Sequence, residues 1–198
     1  MKKIVSLILV FVLTLTCLVA CNKKNEDETI VDNSSTDYVA GVVDGNVYTN
    51  TTVGIKYTAD EESSMSDEEE IKSLMAVTAD AEMTNTYEML LFNAQGNIIV
   101  MTEKLDDSEI TEEEYLNKKK KQLEDIDMVT IDYGDITTTE LAGIEFSSIN
   151  YPMTLGVSDE MFQCVLVHKL EDRMFTITLT YMNEAAFEVL TSGFEAIA

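Results

Sequence analysis

Apolar and polar residues follow three different rhythms along this chain. Residues 4–18 are apolar almost throughout, broken only by Ser6, Thr14, Thr16 and Cys17. Residues 22–37 are mainly polar, and from Tyr38 onward short alternating runs take over. Residues 38–43 and 46–49 read as a hairpin across Asp44-Gly45, a pair favoured in tight turns, with a further strand at residues 54–58. Ser66 with Glu69 three positions on has the capping-box pattern, and Ile71, Leu74 and Met75 form the apolar stripe of the helix it would open. Strands at residues 87–92 and 98–102 are joined through 94–97. Thr111 and Glu114 repeat the capping box ahead of a second helix, whose buried side would carry Tyr115, Leu116, Leu123 and Ile126.

The second half is mostly strand. Residues 129–137 and 144–149 flank a turn at Ala142-Gly143, and residues 161–170 and 174–181 flank Glu171-Asp172-Arg173. In the last strand Phe175, Ile177, Leu179 and Tyr181 share one face, while Thr176, Thr178 and Thr180 share the other. Asn183 suits the N-cap of a closing helix with Phe187, Leu190, Phe194 and Ile197 on one side. Antiparallel hairpins with helices at the start, middle and end predict an α+β fold, one antiparallel sheet sandwiched by helices. The expected organisation is a leader at residues 1–20, a tether at 21–37 and a single domain at 38–198.

The leader has the three parts of a secretory signal: Lys2 and Lys3, the apolar run, and small Ala20 before Cys21. Leu18-Val19-Ala20-Cys21 is similar to the lipobox of bacterial lipoproteins. That similarity implies a diacylglyceryl group on the Cys21 thiol, with Leu18, Val19 and Ala20 read by the signal peptidase. A plain transmembrane anchor competes with this reading, but it needs roughly 20 apolar residues. Cys17 is a rival acceptor preceded by a poorer match, Leu15-Thr16. Two or more acyl chains hold a protein on a membrane where one does not. The polar tether would keep the domain roughly 20–24 Å from its anchor.

Charge narrows the partners. Without residues 1–20, which carry Lys2 and Lys3 and no acid, 178 of the 198 residues remain and the net charge moves from −24 to −26. Nucleic acid needs Lys and Arg against phosphate, so it is not an expected partner. Anionic headgroups are repelled as well, which leaves lipid as the membrane link. With Cys21 acylated and Cys17 removed, Cys164 is the one remaining thiol, and the core must hold the fold without an internal disulfide.

Candidate chemistry is sparse. His168 is the sole histidine, and Cys164 lies four residues away on the same strand face, about 13 Å along an extended chain. That is too far for a nucleophile–base pair. Cys164 reads as a core residue beside Phe162 and Leu166, and His168 as a rim residue. One His and one thiol do not make a zinc site. There is no Walker loop, no GxGxxG and no nucleophile elbow at residues 156–160, so no cofactor is expected. Asp125-Ile126-Asp127 begins like an EF-hand loop, but Val129, Thr130 and Ile136 fill its third-ligand, glycine and closing-Glu positions. The acids of residues 60–70 read as a solvated face and a helix N-terminus. Lys118, Lys119, Lys120 and Lys121 form the one basic run. Glu114–Lys118, Lys120–Glu124 and Lys121–Asp125 would be i,i+4 pairs on an exposed helix, and the alternative is a docking spot for an acidic partner.

Tyr48-Thr49-Asn50 followed by Gly54-Ile55-Lys56-Tyr57, then residues 110–116, Gly143-Ile144-Glu145-Phe146 and residues 175–181 with Phe187, Leu190 and Phe194, resemble the PsbP-like α/β/α sandwich of many bacterial lipoproteins. The likeness runs from about Gly41 to Ile197 over fold-keeping positions. Where family members often carry a Pro and a Trp, this chain reads Ala59 to Ser64. The resemblance implies docking rather than catalysis. The expected protein is a lipid-anchored, extracytoplasmic, non-catalytic module with an envelope protein as partner, and the alternative is a small-solute or calcium-binding lipoprotein.

Overall fold

A computed structural model describes residues 38–71, 85–124, 129–131, 133–155 and 161–197. Twelve strands and two complete helices lie within them. Strands β1 (Val42–Asp44), β2 (Val47–Asn50), β3 (Ile55–Thr58) and the late β12 (Phe194–Ala196) form a four-stranded sheet in the order β1-β2-β3-β12. The larger sheet contains β4 (Ser64–Met65), β5 (Asn85–Phe92), β6 (Gly96–Lys104), β7 (Val129–Ile131), β8 (Ile136–Leu141), β9 (Ile144–Leu155), β10 (Met161–Leu170) and β11 (Arg173–Tyr181). Its order is β4-β5-β6-β11-β10-β9-β7, with β8 also on β9, and every pairing is antiparallel. Helices α1 (Glu112–Glu124) and α2 (Glu184–Thr191) complete the set.

The sheets dominate, which corrects the expectation of one sheet between helices. The large sheet is buried on both faces along β6 and β11. One face meets the small sheet and α2, through Tyr48, Ile55 and Leu190 against Ile98, Val100, Phe175, Ile177 and Leu179. The other meets α1, through Tyr115 and Leu116 against Ile149, Tyr151, Val167 and Met174. Consecutive Met174 and Phe175 serve opposite cores because side chains alternate across a strand.

Local chemistry explains most element ends. Thr111 and Glu114 form the expected capping box: Glu114 N–H donates to Thr111 Oγ1 at 3.2 Å and Thr111 N–H to Glu114 Oε2 at 2.9 Å. Asn183 caps α2 by accepting from the Ala186 amide at 3.0 Å. At the first helical segment, residues 68–71, the cap is Asp67 rather than Ser66, since Asp67 Oδ1 and Glu70 Oε2 take each other's amides at 2.9 and 3.2 Å. Leu74 and Met75 of its expected stripe lie outside the described residues. In the first hairpin Asp44 pairs with Val47, so the turn is Gly45-Asn46, one residue later than predicted. The β8–β9 turn does fall at Ala142-Gly143, with φ of +54° and +75°. Two left-handed residues suit a two-residue hairpin, and Gly143 adopts that conformation without the Cβ penalty.

Three strand expectations shift. The run at residues 129–137 splits into β7 and β8, both on the same edge of the 12-residue β9. Arg173 belongs to β11, leaving Glu171-Asp172 as the turn. The closing helix stops at Thr191, and Phe194 starts β12, opposite Tyr57. Phe194 packs edge-on against Tyr57 with centroids 4.6 Å apart. Sheet pairing and that aromatic contact override the helical spacing of Phe194 and Ile197.

Candidate functional site

Helix α1 is fastened to the large sheet by its first turn. Glu112 Oε1 accepts the Lys169 amide at 2.7 Å, and Oε2 accepts the Ser147 hydroxyl at 2.5 Å. One turn on, the buried Tyr115 hydroxyl donates to Glu103 Oε2 at 2.6 Å, and Lys119 Nζ reaches the same oxygen at 3.1 Å. Burial, and then the Glu103 charge, push the Tyr115 hydroxyl well above its usual pKa. Glu103 is only 7% exposed, so this tyrosine and lysine supply the pairing a buried carboxylate needs.

Past this anchor the helix stands off the sheet and leaves a cleft. The cleft is narrow, with a free volume of about 40 Å³. Met101, Leu116, Ile149, Val165 and Tyr151 make its apolar wall, and Gln163, Thr176 and Thr178 bring polar groups from β10 and β11. Gln163 is committed: Oε1 accepts from the Tyr151 hydroxyl, and Nε2 donates to Thr180 Oγ1 at 3.2 Å. Thr176 is 1% exposed, and its Oγ1 interacts with the Tyr115 hydroxyl oxygen without meeting full hydrogen-bond geometry, while the Tyr115 proton goes to Glu103.

The basic run borders this cleft instead of forming one exposed patch. Lys118 and Lys121 face solvent. Lys119 and Lys120 are half-buried in the lining, with Lys119 Nζ 4.9 Å from the Tyr115 ring centroid and Lys120 Nζ 5.2 Å from that of Tyr133. Tyr133 also donates to the Lys120 carbonyl at 3.1 Å and packs edge-on against Tyr151 at 5.1 Å. Of the three expected i,i+4 pairs, Glu114 turns back to its cap and Lys120 onto Tyr133. The side chains of Glu124 and Asp125 lie outside the described residues.

The remaining candidates separate. Cys164 is 3% exposed in the core between the sheets, where burial raises its thiol pKa to about 12. His168 sits at the rim, with Nδ1 3.1 Å from the Glu145 carbonyl oxygen and 3.9 Å from Glu112 Oε1. It does not join Cys164, as the strand spacing predicts. Leu18, Val19, Ala20, Cys21, Leu123, Ile126 and the Asp125–Asp127 run lie outside the described residues or side chains. Among the described residues no three His, Cys, Asp or Glu side chains converge as a metal site would require, and no helix is long and apolar enough to cross a membrane.

A second polar centre was not anticipated from the sequence. Glu88, 5% exposed, sits at a bulge in β5 between the two sheets. Its Oε1 accepts from Tyr38 at 2.5 Å and Thr102 at 3.0 Å. Its Oε2 accepts from Tyr48 at 2.6 Å, the Gly41 amide at 2.7 Å and Asn50 Nδ2 at 2.9 Å. Burial, reinforced by Glu88, raises both tyrosine hydroxyls far above their usual pKa. An acid inside the otherwise apolar 87–92 strand is the signal that could have found it.

No protein-family model and no curated protein matches this chain. Solved structures similar to it include cyanobacterial PsbP from Synechocystis sp. PCC 6803, at 10% identity and a TM-score of 0.45 over 84% of this chain and 98% of that one. Another is LpqN, described as involved in cell envelope biogenesis of Mycobacterium tuberculosis, at 13% identity and a TM-score of 0.45 over 73% of this chain and 83% of that one. PsbP is the family that the sequence motifs resemble.

Proposed function

We propose that this chain is a lipid-anchored, extracytoplasmic accessory module that docks to a protein of the cell envelope and catalyses no reaction. The observation that carries the reading is Leu18-Val19-Ala20-Cys21 at the end of an apolar run headed by Lys2 and Lys3. The site chemistry agrees with it. The sole histidine lies at a sheet rim, and the buried thiol, with its raised pKa, is a poor nucleophile. Cys21→Ser should abolish acyl labelling of the protein, and unchanged labelling would refute the anchor. Crosslinking in intact cells should then recover one dominant envelope partner from the wild type and not from Cys21→Ser. Failure to recover any reproducible partner would overturn the docking role.

A second reading, a small-solute-binding lipoprotein, is favoured by the cleft beneath α1, where apolar walls converge with a few polar groups in the manner of a ligand site. Its calcium form rests on acidic oxygen ligands alone. A melting temperature unmoved between millimolar calcium and chelator would remove that form.

A further inference from the structure

We propose that a second cavity, under the β5–β6 hairpin, binds a small neutral aromatic molecule carrying one N–H or O–H donor, as an indole or a phenol does, with Asn97 Oδ1 as its acceptor. The inference goes beyond both readings above, since this cavity shares no described lining residue with the cleft beneath α1. Its free volume is about 210 Å³. An engineered apolar cavity of about 150 Å³ takes up benzene, so the space suits one ring or two fused rings. Phe92, Met161, Tyr181 and Met182 supply apolar wall, and none of the described lining residues carries a charge. An ion would lose its hydration here without gaining a counter-charge, which selects a neutral ligand. One polar group stands out against this wall. Asn97 is 3% exposed, lines the cavity and has no hydrogen-bond partner at Oδ1. An amide oxygen accepts and cannot donate. A buried acceptor left unpaired is costly, so a bound N–H or O–H would restore the missing bond.

The walls are held in place by contacts of their own. The Tyr181 ring stacks on Phe162 with centroids 5.8 Å apart and tilts against Phe187 at 5.1 Å, and its hydroxyl donates to Asn150 Oδ1 at 2.9 Å. On the hairpin, Asn93 Oδ1 accepts the Gln95 amide at 2.8 Å and the Gly96 amide at 3.1 Å, while Asn93 Nδ2 donates to Ser63 Oγ at 3.1 Å. Gly96 lets this hairpin close on β11, because a Cβ there would fall 1.9 Å from the Thr180 carbonyl oxygen. A cavity fixed in this way spends little ordering on its ligand. Met182, 42% exposed, adds a flexible thioether, a group that packs well against a ring.

The test is calorimetric titration of the full-length Cys21→Ser protein with indole, with its isostere benzofuran, which has an oxygen in place of the N–H, and with the cation tryptamine. Indole should bind saturably and roughly fivefold more tightly than benzofuran, the value of one neutral hydrogen bond. Tryptamine should bind more weakly than indole. Asn97→Leu should erase the preference for indole while leaving benzofuran binding in place, and Met182→Ala should weaken both ligands severalfold. Methionine methyl resonances locate the ligand: those of Met161 and Met182 should shift, and that of Met101 in the cleft beneath α1 should not. Met182 is exposed, so its variant and the wild-type ratio of indole to benzofuran carry the test even if Asn97→Leu fails to fold. Failure of both indole and benzofuran to saturate would overturn the site. A shift at Met101 with Met161 and Met182 unmoved would overturn it as well, and would favour the solute reading of the cleft beneath α1. Benzofuran binding as tightly as indole would overturn the role of Asn97 as acceptor.

Discussion

Glu88 and Thr176 are both polar side chains buried against the large sheet, on opposite faces, and their surroundings could hardly differ more. Glu88 takes five hydrogen bonds, four of them from residues 38–50, so it ties the small sheet and its lead-in to β5. Thr176 Oγ1 has only a loose contact with the Tyr115 hydroxyl and borders a cleft. Desolvating an ionised or polar group is tolerated only when the folded state replaces its water bonds. The inter-sheet face meets that condition fully and has the character of structure. The face beneath α1 meets it at Glu103 and less completely at Thr176.

The sharpest way to break this comparison is at Glu88. Glu88→Ala strands two tyrosine hydroxyls, an amide side chain, a threonine and the Gly41 amide, and should cost about 3–5 kcal/mol in urea unfolding. Glu88→Gln keeps two acceptor sites and should cost less. A loss below about 1 kcal/mol for Glu88→Ala would mean that the network does not hold the sheets together.

Alkaline pH should strain the same core next. Burial raises Cys164 to about 12, and burial aided by Asp60 raises Tyr57 to about 12. Both groups stay protonated when folded but ionise when unfolded, so their stabilisation is complete below the unfolded values, near 9 and 10, and is lost as pH rises toward 12. Cys164 alone should account for about 2–3 kcal/mol between pH 8 and pH 11. Cys164→Val should flatten that part of the urea-midpoint profile. In the native protein Cys164 should resist thiol reagents at pH 8 and react once unfolded.

The smallest effect is the most discriminating. Thr102→Val removes a donor to Glu88 and should cost about 1–2 kcal/mol, whereas Thr176→Val removes a loosely held hydroxyl and should stay within about 0.5 kcal/mol of the wild type. Equal losses at the two threonines would show that Thr176 is bonded as firmly as Thr102 and that the two faces are alike.

The parts of the fold legible in the sequence are those set by neighbours in the chain. Thr111 with Glu114, Asn183 at α2, and Ala142-Gly143 between β8 and β9 all act through bonds and dihedrals a few residues apart. Errors arose where a distant element decided. Phe194 continues a helical pattern yet joins β12, because β3 offers it a sheet edge and Tyr57 a ring to pack on. Residues 129–137 divide because β9 is long enough to receive two strands on one edge. The four lysines read as one patch, and the sheet sorts them: Lys119 and Lys120 turn to Glu103 and Tyr133, while Lys118 and Lys121 stay in solvent.

The sequence by itself determined the rhythm of strands and caps, the strongly acidic charge, and the expected anchor at Cys21, since each depends on contiguous residues or on composition. Only the tertiary structure decided that the alternating threonines of β11 face a second core rather than water, that Glu88 gathers five donors, and that a lysine, a buried hydroxyl and apolar side chains from α1, β6, β9, β10 and β11 share one cleft. A strand pattern says which residues lie on the same face. What covers that face depends on elements tens of residues away, and burial then decides whether a polar side chain is solvated, locked in a network, or only loosely paired.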